Sequence, residues 1–516
     1  MPDSNLVFRR QFLMTPDTCA SLGHWQQTHV GHYHLYAHPD IQLSSVRSAD
    51  ANVTVTLVGY IIDPNCPEKS NTGVLNTIAD FTDSVEWISH YLCSVSGRFV
   101  LVISTPNETL LFHDPCGFRT VYYTKYQGKI FIGSQPLIFK QVLPLEDGER
   151  LSSYIGSSYV KTQIEHWIPS GCSLFEEVYH LVPNHYLRLS TLEQIRYWPR
   201  WVFPQKTVSE VVAEASDLLR RLMLAANNRF KLALPLTAGW DSRTILSASK
   251  SIANEMYFFT LQYRDLHPQA NDIKIPAKLL HSLGLGHNVI DCGKAAPEAF
   301  REMYQRNAMP THMDDWGQMA YAMVDAYPQD RVCVKGNCSE IARCFYYKDG
   351  THPPITSPDQ IIALVNGWHT IPFIREQIST WYDQASEVAA EANMDILDLF
   401  YWEHRMGSWQ AQGQLEWDIV QEAFTPFNHR GLLELMLSTP AKLRSAPDYP
   451  LYQMMLKVLW PEVLRQPVNP MTAKKRLTKL LRDITAPVSG SGRGAILGRR
   501  GFSRVVARQG NPFEES

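Results

Sequence analysis

The chain has 516 residues, of which 45% are apolar and 19% are charged, proportions that are typical of a folded globular protein and argue against a collagenous or disordered one. Its 48 basic and 51 acidic side chains give a net charge of -3, which argues against a nucleic-acid-binding surface. The length predicts two domains, and the lack of a long apolar run predicts a cytoplasmic protein without a membrane partner.

The first 200 residues predict a domain that consists mainly of β-strands. Alternating β-branched and aromatic residues lie between turn-forming Asn, Pro and Gly residues. The predicted strands lie at 53–58, 99–104, 109–113, 121–125 and 129–132. We place this first domain at residues 1–200.

The sequence pattern changes after Trp198 and Pro199. Thr207 and Glu210 have the spacing of a capping box, and apolar residues then recur at helical intervals. This alternation of strands and helices predicts a doubly wound parallel sheet with a ligand site at the carboxyl ends of its strands. We place the second domain at 205–480, with strands at 232–236, 257–261, 287–290 and 331–335 and with helices from 242 and from 272 to 283.

Beyond residue 360 the sequence predicts a helical extension that is rich in tryptophan. We expect Trp402, Trp409 and Trp417 to form aromatic walls of a substrate pocket. The last segment, 481–516, has too few apolar residues to pack and predicts a flexible basic tail. The nine cysteines of the chain include no CxxC pair, which indicates reduced thiols.

One turn between a predicted strand and a predicted helix reads Thr237-Ala238-Gly239-Trp240-Asp241-Ser242. Backbone N–H groups of such a turn can converge on phosphate oxygens, and the helix N-terminus adds partial positive charge. Gly239 permits close approach of a phosphate, Thr237 and Ser242 add hydroxyl donors, and Asp241 can bind Mg²⁺. The alternative is an ordinary turn in which Asp241 or Ser242 caps the helix.

This turn resembles the Ser-Gly-Gly-x-Asp-Ser loop of ATP pyrophosphatases as it occurs in the asparagine synthetase family, with Thr237 and Ala238 in place of the first Ser and Gly. The family has a second loop of the form Gly-x-Gly-Ser/Ala-Asp-Glu, and the matching segment here is Gly336-Asn337-Cys338-Ser339-Glu340-Ile341. The resemblance implies that loop 237–242, together with Gly336 and Ser339, binds ATP and its pyrophosphate. It also implies that Asp241 and Glu340 bind Mg²⁺.

Asn337 and Lys474 are the catalytic candidates that the resemblance implies. Asn337 stands where asparagine synthetases have Glu and β-lactam synthetases have Tyr, and its amide can orient an intermediate but cannot accept a proton. Lys474 matches a basic position of the family that would stabilise charge on the acyl-adenylate and pyrophosphate. Asp418 and the segment 426–428 correspond to residues that shape the acceptor side of the family's site.

The N-terminal half resembles the glutaminase domain of the same family, an Ntn-hydrolase-like αββα fold, at 97–99 and 114–123. In active glutaminases an N-terminal Cys attacks the amide, but this chain has Pro2. Val58 also replaces an Asn that lines the oxyanion site of the family. We therefore expect a degenerate glutaminase domain that does not hydrolyse glutamine.

The resemblance implies an ATP-dependent, AMP-forming amide ligase with ATP and Mg²⁺ as cofactors. A small-molecule or peptide carboxylate would be adenylated and then attacked by ammonia or another amine, including one in the same substrate, as in β-lactam synthetases and lasso peptide cyclases. The reaction would belong to natural-product, peptide or glycan biosynthesis, with a homodimer or a pathway protein as partner. Two alternatives stay open: a non-catalytic scaffold with this fold, and an asparagine synthetase that uses free ammonia.

Overall fold

The computed structural model describes residues 4–49, 51–81, 84–163, 165–203, 206–264, 266–309 and 314–470, so Pro2, Lys474 and the segment 481–516 lie outside the described residues. The strands are β1 (Phe12–Thr15), β2 (Gln26–Val30), β3 (Tyr33–Ala37), β4 (Leu43–Arg47), β5 (Thr54–Ile62), β6 (Ser96–Ser104), β7 (Thr109–His113), β8 (Tyr122–Tyr126), β9 (Lys129–Gly133), β10 (Val178–His180), β11 (His185–Arg188), β12 (Glu193–Arg196), β13 (Lys231–Pro235), β14 (Tyr257–Gln262), β15 (Asn288–Asp291), β16 (Arg331–Val334) and β17 (Ala423–Phe424).

The α-helices are α1 (Asn71–Ala79), α2 (Val85–Cys93), α3 (Glu149–Gly156), α4 (Ser158–Thr162), α5 (Val208–Asn227), α6 (Trp240–Ala248), α7 (Asn271–Ser282), α8 (Glu298–Asn307), α9 (Asp314–Ala326), α10 (Pro358–Ile362), α11 (Pro372–Glu391), α12 (Ile396–Phe400), α13 (Ala411–Trp417), α14 (Arg430–Leu437), α15 (Ala441–Arg444) and α16 (Pro450–Leu459). A π-helix, Tyr401–Gln410, joins α12 to α13. Among the described residues, no helix has the length and apolar character that a bilayer span requires.

The N-terminal half contains two antiparallel six-stranded sheets, in the orders β10-β8-β9-β1-β3-β2 and β12-β11-β7-β6-β5-β4. Phe12 and Met14 from the first sheet pack with Val58 and Val100 from the second in one apolar layer. Helices α1 and α2 contribute to the core on the outer face of the second sheet, and α3 to that of the first. Val58 therefore packs in the core between the sheets.

The strand predicted at 53–58 is longer than expected, because Gly59 does not end it. Gly59 has φ +102°, and a β-carbon there would lie 2.1 Å from the carbonyl oxygen of Arg98. Gly97 on β6 has the same close approach to Tyr60. Only glycine fits these two positions, so the ladder continues through residues that read as turn signals in the sequence.

The C-terminal half contains a five-stranded parallel sheet in the order β15-β14-β13-β16-β17. Leu232 and Leu234 face a core that includes α5, α6 and α16, whereas Ala233 and Cys333 face a core that includes α8 and α9. The sheet is thus covered by helices on both faces, and α5 begins at the predicted capping box. Chain order reverses between β13 and β16, which is where open α/β sheets bind ligands.

Buried ion pairs join the two halves of the protein. Arg98 binds both carboxylate oxygens of Asp418, at 2.5 and 2.7 Å, and its Nη1 lies 3.0 Å from Glu422. Asn428 donates a 2.7 Å hydrogen bond to Asp114 and accepts one from the backbone of Cys116. Asp418 and Asn428 therefore bind the N-terminal half, whereas the sequence placed them on the acceptor side of the site.

Candidate active site

The loops 237–242 and 336–341 come together at one edge of the parallel sheet. They follow β13 and β16, which are parallel neighbours. The Ser339 hydroxyl donates a hydrogen bond to Asp241. Gly336 lies so close to the first loop that a β-carbon on it would be 2.8 Å from Cβ of Asp241 and 3.2 Å from the backbone nitrogen of Ser242. The structure thus brings together residues that are about a hundred positions apart in the chain, a contact that parallel strands with a crossover require.

The second loop has a left-handed residue at its centre. Cys338 has φ +73°, a region that β-carbons disfavour by about 1–2 kcal/mol. It is the position at which the loop of the asparagine synthetase family has a glycine. The backbone here therefore has the conformation that a glycine-containing loop would adopt, although the residue is a cysteine.

Asp241 and Glu340 form a buried pair of carboxylates with Arg343 between them. Nη2 of Arg343 lies 2.9 Å from Oδ2 of Asp241 and 3.6 Å from Oε1 of Glu340. Burial and the neighbouring Asp241 raise the pKa of Glu340 to about 7, against the opposing effect of Arg343. Burial alone would lower the pKa of Arg343, but the two carboxylates reverse this and raise it.

Asp241 and Glu340 supply two buried carboxylates to this part of the site, while the described residues contain no group of three or more His, Cys, Asp or Glu side chains that could hold a metal ion. Oε2 of Glu340 has no hydrogen-bond donor among the described residues, whereas Oδ2 of Asp241 is in the ion pair with Arg343. Hard oxygen ligands of this kind suit Mg²⁺. Because Arg343 already compensates their charge, a metal ion on these carboxylates would compete with the guanidinium for Asp241.

The backbone donors of the first loop are engaged within the protein. The Ala238 N–H donates to Asp272 at 3.0 Å, the Thr237 N–H to the Ser242 hydroxyl at 3.3 Å, and the Gly239 N–H to the Thr237 hydroxyl at 3.2 Å. A phosphate at these positions would have to replace those acceptors. Helix α6 begins directly after Gly239, so its N-terminus is the anion-binding end of this turn.

A cavity that is open to solvent lies beside the two loops. Six of the predicted site residues line it: Thr237, Asp241, Ser242, Gly336, Asn337 and Glu340. Its apolar lining comes from Phe259, Leu261, Leu266, Trp316, Met319 and Trp417. The Asn337 amide faces this space and donates a 3.1 Å hydrogen bond to Gln410 at the end of the π-helix.

The tryptophans of the helical extension have different positions. Trp417 lines the cavity, with its ring centroid 5.4 Å from that of Trp316, which the sequence did not single out. Trp402 instead donates to the carbonyl of Pro115 and packs against Trp198, so it belongs to the contact between the halves. Trp409 packs against Trp316 and is not part of the lining. The expectation of three aromatic walls was therefore wrong for Trp402 and Trp409.

The polar residues of the site that were missed from the sequence include Arg343, Lys335 and Gln414. Arg343 lies three positions after Glu340, a spacing that places the two side chains close together in a helical turn. Lys335 ends an apolar strand directly before the second loop and lines the cavity, where burial lowers its pKa. Gln414 gave no signal in the sequence, since it reaches the cavity only through the packing of α13.

The comparisons with known proteins give distant similarities. No protein-family model matches the chain. It is 22% identical over 285 residues to the amidase chyE of Penicillium rubens, which covers 50% of this chain and 40% of that protein. The chain thus spans less than half the length of this curated relative.

Two solved structures are similar to the chain with low TM-scores. Glutamine phosphoribosylpyrophosphate amidotransferase from B. subtilis, complexed with ADP and GMP, has 10% identity and a TM-score of 0.24, covering 58% of this chain and 65% of that one. An allosteric regulatory enzyme of purine biosynthesis has 11% identity and a TM-score of 0.25, covering 59% and 73%.

Proposed function

We propose that this protein is an ATP-dependent, AMP-forming amide ligase that adenylates a carboxylate and transfers the acyl group to an amine without hydrolysing glutamine. The observation that carries this proposal is the meeting of loops 237–242 and 336–341 over one cavity at the switch point of a parallel sheet. A helix N-terminus for phosphates, a pair of carboxylates for a divalent cation and an apolar cavity are then next to one another. The partial similarity to an amidase is in keeping with amide chemistry.

The residues of the site suit an in-line attack on ATP. The Thr237 and Ser242 hydroxyls, 3.2 Å apart, and the first turn of α6 would hold the leaving pyrophosphate. Mg²⁺ held by Asp241 and Glu340 would neutralise charge on the phosphates. Arg343 adds a permanent positive charge that offsets these carboxylates and so lowers their repulsion of a polyanion. Lys474 would add a further cation in this proposal.

Asn337 limits how the second step, the attack of the amine on the acyl-adenylate, can occur. Its amide, oriented by Gln410, can hold the carbonyl group of an acyl-adenylate but cannot take a proton from the attacking amine. The amine would therefore arrive unprotonated, as ammonia or as an amine of the substrate, or lose its proton to another base. Carbon–oxygen cleavage then releases AMP, and the new carbon–nitrogen bond is the amide.

ATP–pyrophosphate exchange with a panel of carboxylates, aspartate included, tests the adenylation step. We expect one class of carboxylate to support exchange, and Asp241→Asn to lower the rate by orders of magnitude because the metal loses a ligand. Asp330→Asn is the matched control. Asp330 lies just before β16, its carboxylate is 60% exposed, and it forms an ion pair with Lys231. Carboxylate-dependent formation of ADP instead of AMP would refute the proposal.

A second candidate function, a non-catalytic scaffold, is favoured by one observation. Arg343 already neutralises Asp241, and Asp272 occupies the N–H group of Ala238, so the site is internally compensated without a ligand. Isothermal titration with ATP and Mg²⁺ separates the two functions. Binding that Asp241→Asn abolishes favours the ligase, and no binding to the unaltered protein favours the scaffold.

A further inference from the structure

Lys335 brings a positive charge into the cavity on the side of the aromatic helices. Its backbone N–H donates to Phe424 at 2.7 Å, which fixes the residue at the end of β16. Its Nζ lies 4.3 Å from the ring centroid of Trp417. Among the described residues, no carboxylate lies within ion-pair distance of this ammonium group. A half-buried cation whose only close partner is an aromatic face can still bind an anion.

Gln414 and Trp417 add hydrogen-bond donors to the same wall. They lie three positions apart on α13 and both line the cavity. Gln414 is 3% exposed, and within the described part of the chain neither its Nε2 nor the buried Nε1 of Trp417 has a hydrogen-bond acceptor. Buried donors are nearly always paired in folded proteins. Two buried donors without an acceptor among the described residues, both on residues that line one cavity, therefore indicate that a ligand supplies the acceptor.

We propose that Lys335 and Gln414 bind the carboxylate of the acyl substrate, and that this substrate is an acid with an aromatic or similarly flat apolar body. This inference rests on the proposed ligase function and names its substrate class. The body of the acid would lie against Trp316, Met319 and Trp417, whose side chains line the cavity. Its carboxylate would lie next to Gly336, and so beside the loops that hold ATP.

The position of Lys335 favours a carboxylate over a nucleotide phosphate as its ligand. The phosphate-binding groups are at the start of α6 and around Asp241. The Lys335 ammonium instead lies over a ring of α13 that packs edge-on against Trp316 of α9. A single cation with amide N–H donors in an apolar surrounding matches a carboxylate attached to an apolar group.

Tryptophan fluorescence in the absence of ATP can measure binding to this wall, since Trp316 and Trp417 form part of it. The probes are 3-phenylpropanoate and phenylacetate, each compared with its uncharged primary amide. We expect saturable quenching by the acids, with an affinity roughly tenfold or more above that of the amides, as one charge-assisted contact provides. Lys335→Met should abolish this preference, Lys335→Arg should keep it, and Gln414→Leu should reduce it.

Lys250→Met is the matched control, because Lys250 is also a lysine over a tryptophan ring, 5.6 Å from the centroid of Trp460, but lies outside the cavity. This variant should bind the acids like the unaltered protein. Melting temperatures of all variants exclude unfolding as the cause of lost binding. The inference is refuted if neither acid binds, if acids and amides bind equally, or if Lys335→Met keeps the preference.

Parallel titrations with ATP and Mg²⁺ separate this inference from the proposed function. Lys335→Met should keep its ATP affinity, and Asp241→Asn should keep its acid affinity. A loss of ATP binding in Lys335→Met with unchanged acid binding would assign Lys335 to the nucleotide phosphates and overturn the inference. Acid binding of the expected kind without any AMP formation would refute the ligase function and leave the carboxylate site intact.

Discussion

Gly336→Ala is the most specific test of the contact between the two loops. The added β-carbon would lie 2.8 Å from Cβ of Asp241 and 3.2 Å from backbone atoms of Asp241 and Ser242. Carbon atoms pack at about 3.5–4.0 Å, so the loops would have to separate by roughly 0.8 Å. None of these contacts is the end of a flexible side chain, so the backbone itself must move.

A displacement of this size should lower activity strongly and stability only moderately. Misplacement of reacting groups by about 1 Å can lower the rate by a factor of about 10². Overpacking lowers the free energy of unfolding by about 1–3 kcal/mol. We therefore expect Gly336→Ala to lower ATP–pyrophosphate exchange by about 10² while the protein still folds. Gly286→Ala is the control, since neither glycine has a positive φ and a β-carbon at Gly286 meets nothing within 4 Å. Full exchange activity in Gly336→Ala would show that the loop contact is not part of the site.

Three further predictions concern charged groups. Arg343→Met should lower the free energy of unfolding by about 3 kcal/mol, because it leaves two buried carboxylates without a cation. The same variant should bind Mg²⁺ more strongly than the unaltered protein. Thermal melts at increasing Mg²⁺ concentrations measure this, and an unchanged dependence of the melting temperature on Mg²⁺ would contradict it. The Glu340 pKa of about 7, raised from 4.5, means that the neutral form contributes stability below pH 4.5 that is lost as the pH rises through 7. Glu340→Gln should therefore gain melting temperature relative to the unaltered protein as the pH rises, and a constant difference would refute the shift. Asp418→Asn should lower the unfolding free energy by about 3 kcal/mol in urea because Arg98 loses its bidentate partner; a loss below about 1 kcal/mol would place that pair among the weak ones.

Strands and helix ends that depend on local periodicity could be predicted from the sequence. The strand at 109–113 and the capping box of α5 were confirmed. The first strand of the parallel sheet, β13, follows α5, the helix at which the sequence pattern changes. Such features depend on residues a few positions apart, whose spacing the sequence shows directly. The loop at 237–242 was expected from its place between an apolar strand and a helix, and the loop at 336–341 from its resemblance to the second loop of the asparagine synthetase family.

The sequence could not predict what depends on contacts between distant segments. Asp418 was expected at the acceptor side, but Arg98, 320 positions away, holds it at the contact between the halves. Trp402 was expected in the cavity wall, but it packs against Trp198. Lys335 and Gln414 become neighbours of one cavity only when α13 packs beside β16. None of these pairings leaves a periodic signal in the chain.

The central claim is that a carboxylate oxygen attacks the α-phosphorus of ATP at the loops 237–242 and 336–341. A substrate acid labelled with ¹⁸O in its carboxylate tests this claim directly, with the products analysed by ³¹P NMR and mass spectrometry. We expect AMP that carries one ¹⁸O atom, because cleavage of the acyl carbon–oxygen bond leaves the attacking oxygen on phosphorus, and we expect unlabelled pyrophosphate. ¹⁸O in inorganic phosphate together with ADP, or AMP without label, would contradict it.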